Sequence, residues 1–380
     1  MNTAIETTKN DLSGLINQTH SNQTLAINNA IDALKQKRFF KLVCGASLTD
    51  ITMIENLCFV FTLAGTHVID LAPKADVIFA ARKGIERACD YPQAGRDLSR
   101  PYKPLLMASI QLDKDPHFRK IEVDYNSCDL CSACVKVCPT EAFKIEDKKF
   151  IYSTERCYGC GICPSYCHVS ALEMIDTKPS PIETLKEMLL LDVNAIEFHF
   201  GENFQKLEEI WDDVQIHVGV DRNQHLHRNK PLLSFSIGSN LLSNEQIKNA
   251  ANLCYKLAGK GIILQCDGTP MSGGIDKKFD KKFKNGQNVK IGYKKDNPSL
   301  QVAKIIEEEK LPVYLQISGG TNENSYSMAN EAGINIHGVA IGSYARKLLM
   351  PYLNNLEDEK KLEEAVNIAR SLVNSVGDKL

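Results

Sequence analysis

Eight of the thirteen cysteines in this 380-residue chain fall between Cys128 and Cys167. They form two runs, Cys128-x2-Cys131-x2-Cys134-x3-Cys138-Pro139 and Cys157-x2-Cys160-x2-Cys163-x3-Cys167. Thiolates in this pattern point to iron–sulfur chemistry. A [4Fe–4S] cube needs four of them. Three cysteines two residues apart wrap one corner as the backbone turns, and the fourth is carried by the next turn to the other cube. This assigns Cys128, Cys131, Cys134 and Cys167 to a first cluster and Cys157, Cys160, Cys163 and Cys138 to a second.

The spacing is that of a bacterial-type two-cluster ferredoxin, written twice. Zinc ribbons use pairs of C-x2-C, and two four-cysteine runs leave surplus thiolates for them. Disulfides are disfavoured by the x2 spacing and by residues 1–21, which carry Glu6 and Asp11 and no apolar centre of a secretion signal. The C-x3-C-x2-C arrangement of radical enzymes does not occur. Where Pro139 follows Cys138, His168 follows Cys167. Its imidazole either hydrogen-bonds a cluster sulfur or stands as an exposed turn residue.

The rest of the chain has to position these thiolates. Apolar residues make up 43% and charged residues 24%, the balance of a soluble globular protein. A net charge of −2 gives no pull towards nucleic acid. The longest apolar run, 57–65, is too short to span a bilayer. The other five cysteines (44, 58, 89, 254, 266) sit in apolar surroundings as buried thiols, which fits a reducing cytoplasm.

Short apolar runs alternate with helical patterns from residue 37 onward. Strands are expected at 40–46, 67–71, 105–110, 195–200, 232–237, 261–266, 313–317 and 338–341. Ser180-Pro181-x-Glu183 and Ser243-x-x-Gln246 read as capping boxes opening two of the helices between them. Eight such strands are the count of an α/β (β/α)8 barrel, ahead of an open doubly wound sheet. The expected organisation is an N-terminal helical extension at 1–36 and barrel strands one to three at 37–119. A two-cluster ferredoxin-like α+β insertion follows at 120–178, then the remaining barrel at 179–356 and a C-terminal helix at 357–380.

Barrel sites lie at the C-terminal ends of the strands. After the seventh come Gly319 and Gly320, and after the eighth Gly342, Ser343 and Arg346. Backbone N–H groups there can approach a phosphate or the phosphate of FMN, with Arg346 adding a charged donor; alternatively the glycines only make tight turns. Glu197 and His199 are two apart on the fourth strand and share a side of the sheet. They are an acid/base or metal pair if that side is the interior, and structural if it faces the helices. Asp70 and Asp267 end the second and sixth strands as ligand or capping carboxylates, and Cys44 ends the first. The stretch 113–120 (DKDPHFRK) reads as the hinge into the cysteine unit, with Arg119 and Lys120 either offsetting cluster charge or standing in a solvated linker. The lysine-rich stretch 276–295 is a charged loop or a dock for an acidic partner such as a ferredoxin.

Several stretches together resemble the light-dependent period protein family of cyanobacteria and related plastids. They are KLVCGAS at 41–47, DPHFRK at 115–120, the paired cysteine runs with RCYGCGIC at 156–163, QCDGTPMSGG at 265–274, ISGGTNENS at 317–325 and VAIGSYARK at 339–347. The resemblance spans 38–352 and implies an iron–sulfur protein that senses the redox state of photosynthetic electron transport and feeds the circadian clock. It implies clock-input or electron-transfer proteins as partners, with a quinone or ferredoxin as a further one, in the cytoplasm. It carries no catalytic residue over to the barrel. A ferredoxin-coupled oxidoreductase with a flavin or phosphorylated ligand in the barrel mouth is the rival expectation.

Overall fold

A computed structural model describes residues 24–92, 103–201, 203–219, 230–238, 242–268 and 297–377. The stretch 276–295 and the ends of the chain at 1–23 and 378–380 lie outside the described residues. In chain order the strands are β1 (Phe39–Gly45), β2 (Val68–Leu71), β3 (Leu105–Gln111), β4 (Arg119–Val123), β5 (Phe143–Glu146), β6 (Lys149–Tyr152), β7 (Leu172–Asp176), β8 (Ala195–His199), β9 (Leu232–Gly238), β10 (Ile263–Asp267), β11 (Tyr314–Ser318) and β12 (Gly338–Ile341).

Eight of these close into one barrel in the order β1-β12-β11-β10-β9-β8-β3-β2, every neighbour parallel. The alternation of each strand sorts its side chains into two sets. One set, including Phe40, Leu42, Ile69, Ile196 and Phe198, packs against the surrounding helices in the main core. The other points inward. At the N-terminal end of the barrel it is apolar, with Phe39, Val68, Leu105, Met107, Leu232 and Ile263. A helix at 24–35 plugs that end through Ala26, Ile27, Ala30, Ala33 and Leu34. Two imidazoles trim the same rim: the amides of Phe40 and Leu315 donate to Nδ1 of His67 and of His337 at 3.1 and 3.0 Å. Burial holds the His67 ring down at about 4, so it stays neutral and accepts.

The helices form largely where their caps predict. Asp50 accepts from the Met53 amide ahead of Ile51–Ala64, and Ser243 with Gln246 makes a complete capping box ahead of Asn244–Ala258. The second expected box does not form. Ser180, at ψ 69°, makes no side-chain bond to the amides of Pro181–Leu190, and Thr184 instead donates its hydroxyl to the Ser180 carbonyl at 2.8 Å. The helix after β11 starts only at Ser325, because Thr321 and Asn322 are held in the preceding loop by bonds to the Ala340 carbonyl and to Ser325 Oγ.

Between β3 and the helix Pro181–Leu190 the chain leaves the barrel at the C-terminal end of the strands. There β4 pairs antiparallel with β7, and β5 with β6. The two pairs enclose a small core of their own built on Ile121, Ala142, Phe143 and Leu172 with Cys134, Cys157 and Cys163.

Candidate functional site

The eight clustered cysteines divide between two cavities. Cys138, Cys157, Cys160 and Cys163 line one of about 300 Å³, and Cys128, Cys131, Cys134 and Cys167 line another of about 340 Å³. Each cavity thus takes three cysteines from one run and the last cysteine of the other. The chain repeats itself around them: the amide of Ala142 donates to Cys138 Sγ and that of Ala171 to Cys167 Sγ, both at 3.2 Å. Such N–H···S bonds stabilise negative charge on a ligand sulfur and raise the potential of what it holds. Burial pushes the Cys134 thiol up to about 11 and raises Cys160 and Cys163 as well. Those three thiols stay protonated at neutral pH, and binding of iron is what would draw their thiolates out. Four cysteine sulfurs at each of two cavities fit a [4Fe–4S] cube in donor type and number. His168 is exposed and pairs with Asp129 at 2.9 Å.

The cavity lined by Cys138, Cys157, Cys160 and Cys163 is pressed against the barrel. Tyr158, between Cys157 and Cys160, is 3% exposed and packs with the barrel core rather than with its own segment. Arg346 lies 4.3 Å over its ring, and Nη1 of Arg346 donates to the carbonyls of Val43 and Cys44 at 2.6 and 2.9 Å. Lys120 donates to the carbonyls of Thr154 and Cys157 at 2.7 and 2.5 Å and also to that of Ser47 in the loop after β1. The amides of Thr49 and Asp50 donate to the Glu155 carbonyl at 2.9 and 3.1 Å. Gly159, at φ +74°, lets the second cysteine run lie against β4, since a Cβ there would collide with the Arg119 carbonyl.

Beneath Tyr158 the barrel mouth opens into a cavity of about 820 Å³, counted out to solvent. Its walls include Asp70, Ser109, His199, Asp267 and Ser318 from the strand ends, and His117 and Tyr158 from the cysteine segment. Gly319, Gly320, Gly342, Ser343 and Arg346 also line it. The left-handed Gly319 and Gly320 (φ +74° and +80°) differ in surroundings: Gly319 abuts the Gly268 backbone, whereas a Cβ on Gly320 would meet only open space. Arg346 is engaged with carbonyls and the Tyr158 ring, and the helix after β12 is a short Ser343–Leu349 turn. Cys44 faces the helices and is fully buried.

Barrel interiors are ordinarily filled by Val, Ile and Leu, but here the upper layers are polar. Lys41 forms a fully buried ion pair with Glu197 Oε2. Ser109 donates to Asp70 at 2.8 Å, and Ser236 and Gln265 donate to Asp267. Burial lifts the Asp70 carboxyl to about 6 against the pull of Lys41. Glu197 and His199 point inward, with His199 Nε2 3.5 Å from Glu197 Oε1. Asp115 accepts from the His117 amide and from its ring Nδ1, at 2.8 and 2.6 Å. Burial works against charge on both, yet the pairing raises His117 to about 9 and holds Asp115 well below the usual carboxylate range.

The sequence motifs singled out the eight cysteines, Glu197, His199, Asp70 and Asp267. They missed Lys41, Gln265, Gln316, Asp115, His117 and Tyr158. A readable signal was present: a polar residue sits among the alternate positions of β1, β3, β9, β10 and β11, on the same side as Glu197 and His199 of β8.

The fold and the cysteines define an iron–sulfur-binding protein built on a parallel eight-stranded barrel. Residues 188–377 match the family model described as the light dependent period A C-terminal domain, and 127–178 match the LdpA Fe-S cluster-binding domain. The chain belongs to this light dependent period A family. Light dependent period A of Synechococcus elongatus is 28% identical over 345 residues, covering 88% of each chain. An uncharacterized ferredoxin of Methanocaldococcus jannaschii is 35% identical over 57 residues, 14% of this chain and 92% of its own. Among solved structures, the tryptophan synthase alpha-subunit of Pyrococcus furiosus aligns at TM-score 0.41 and 8% identity, over 89% of this chain and 99% of that one. The YdjI aldolase of Escherichia coli aligns at 0.42 and 8%, over 92% of both. No helix among the described residues is long and apolar enough to cross a membrane.

Proposed function

We propose that this chain is a cytoplasmic redox sensor and electron-transfer protein whose segment 120–178 is an inserted two-cluster ferredoxin-type domain. In this reading Cys128, Cys131, Cys134 and Cys167 hold one [4Fe–4S] cluster and Cys157, Cys160, Cys163 and Cys138 the other. When bound, each cluster supplies a one-electron couple. The observation that carries the proposal is the position of Tyr158. It lines the cavity of the second cysteine set and the barrel mouth at once.

The chain's own residues couple the two. Lys120 ties the Cys157 carbonyl to the loop after β1, and Arg346 ties the Tyr158 ring to the end of β1. Added negative charge at the second set pulls on the Lys120 ammonium and shifts the contacts it makes with the barrel. Electrons arrive from a ferredoxin or a reduced quinone, and the barrel face meets electron-transfer or clock-input proteins. A differential affinity of about 1–3 kcal/mol between the redox states is enough to carry a signal.

The polar barrel interior favours a second reading, a ferredoxin-coupled oxidoreductase. There Gly319, Gly320, Gly342 and Ser343 would approach the phosphate of FMN or of a substrate, leaving Arg346 to hold Tyr158. A visible spectrum of anaerobically purified protein separates the two: bound flavin favours the enzyme, clusters alone the sensor. The cluster assignment is tested by electron paramagnetic resonance of reduced Cys138→Ser. The damage is expected in the cube held by Cys157, Cys160 and Cys163. Damage confined to the cube held by Cys128, Cys131 and Cys134 contradicts the assignment.

A further inference from the structure

We infer that Asp115, His117 and His199 form a site for a divalent first-row transition ion such as Zn²⁺ or Fe²⁺, at the barrel mouth and separate from the cluster cysteines. Their ligand atoms all lie within 4.8 Å of one another. Two imidazoles and one carboxylate are the donor set such ions take when some coordination positions stay open. The second cluster of donors, Asp129, Cys131 and His168, is exposed and includes a cysteine already assigned to a cluster. It is not an independent site.

The geometry of His199 points to the ion. Its side chain is 4% exposed, yet neither ring nitrogen makes a hydrogen bond among the described residues. Nδ1 stands 3.8 Å from Asp115 Oδ2, too far for a hydrogen bond. Two atoms bound to one ion at about 2.0–2.2 Å, however, sit about 3–4 Å apart. On the far side, Nε2 faces Glu197 Oε1 at 3.5 Å, and that oxygen has no hydrogen bond among the described residues either. Lys41 holds the other Glu197 oxygen. A ligating imidazole backed by a carboxylate, which takes its second N–H and fixes its tautomer, is the usual outer support of a metal site.

The turn that carries the other two donors packs on the barrel, the His117 carbonyl accepting from Ser47 Oγ at 2.6 Å. Asp115 is fixed by the amide and ring of His117, and Phe118 packs edge-on against the His199 ring at 5.4 Å. His117 and His199 both line the cavity beside Asp70, Asp267 and Ser318. The open coordination positions therefore face a space where water or the oxygen of a small polar ligand can bind. That is the arrangement of a reactive rather than a structural ion.

The test is zinc uptake by the full chain with its iron–sulfur content intact, after mild chelation, with zinc chloride alone as probe and iron counted alongside. The wild type is expected to retain about one zinc per chain after desalting. His117→Ala, at a partly exposed position that leaves the core untouched, is expected to bind at least about 10-fold more weakly with unchanged iron and thermal melt. Asp115→Asn should behave alike, and Cys138→Ser should keep its zinc. Absence of retained zinc in the wild type, equal retention in His117→Ala, or loss in Cys138→Ser would each overturn the site.

Discussion

At the scale of residues, the barrel mouth carries charge that its surroundings oppose. Asp70 is buried beside Ser109, and its carboxyl titrates near 6 against a usual value of about 3.9. Between those values the folded chain holds a proton that the unfolded chain has lost. Stability therefore falls as pH rises from about 4 to 6, and the deficit persists at neutral pH. At 1.36 kcal/mol per unit this is on the order of 1–3 kcal/mol. Asp70→Asn, which can still accept from Ser109, should stabilise the chain by about that much at pH 7 and by almost nothing at pH 4. Urea melts at the two pH values check it, and an equal effect at both would remove burial as the cause. A buried carboxylate kept at such a cost is what a ligand site requires. The cysteines were legible because cluster geometry dictates their spacing. Asp115 and His117 were not, since a DKDPHFRK stretch has the composition of a linker and only the turn Pro116–Phe118 brings it over the barrel.

At the scale of elements, strand positions followed from apolar runs because a barrel strand is buried on both faces. What alternation alone left open was which face of β8 carries Glu197 and His199. The core around Ile196 and Phe198 decides it by packing those side chains against the helices. Caps were legible only in part. Ser180 and Ser243 open helices with equally good motifs, but only Ser243 has the extended backbone that turns its hydroxyl to the third amide. Ser243→Ala should therefore lower stability by about 1 kcal/mol and Ser180→Ala by less than about 0.5 kcal/mol. Equal losses in chemical denaturation would show that Ser180 caps after all. The plug helix is a further such element. Leu34, fully buried against the lower barrel layer, should cost about 2–5 kcal/mol when cut to Ala.

At the scale of the whole molecule, the segment between β3 and the helix Pro181–Leu190 has a small core of its own and also rests on the barrel. Tyr158, Lys120 and the Glu155 carbonyl make contacts with the barrel at or beside the second cysteine run, and His117 and Phe118 make others against Ser47 and His199. A break in the pattern was legible in the chain, since the cysteines interrupt the strand–helix alternation after β3. The docking was not, because it depends on backbone carbonyls and on a tyrosine that local pattern marks only as a spacer between cysteines. In the proposed function, the redox state of the second cysteine set reaches the barrel mouth. Hydrogen exchange on anaerobic protein, poised oxidised and then reduced, tests it most directly. Altered exchange is expected in 45–50, 154–160 and 342–346, with the plug helix at 24–35 unchanged. Identical exchange in both states across those segments would contradict it.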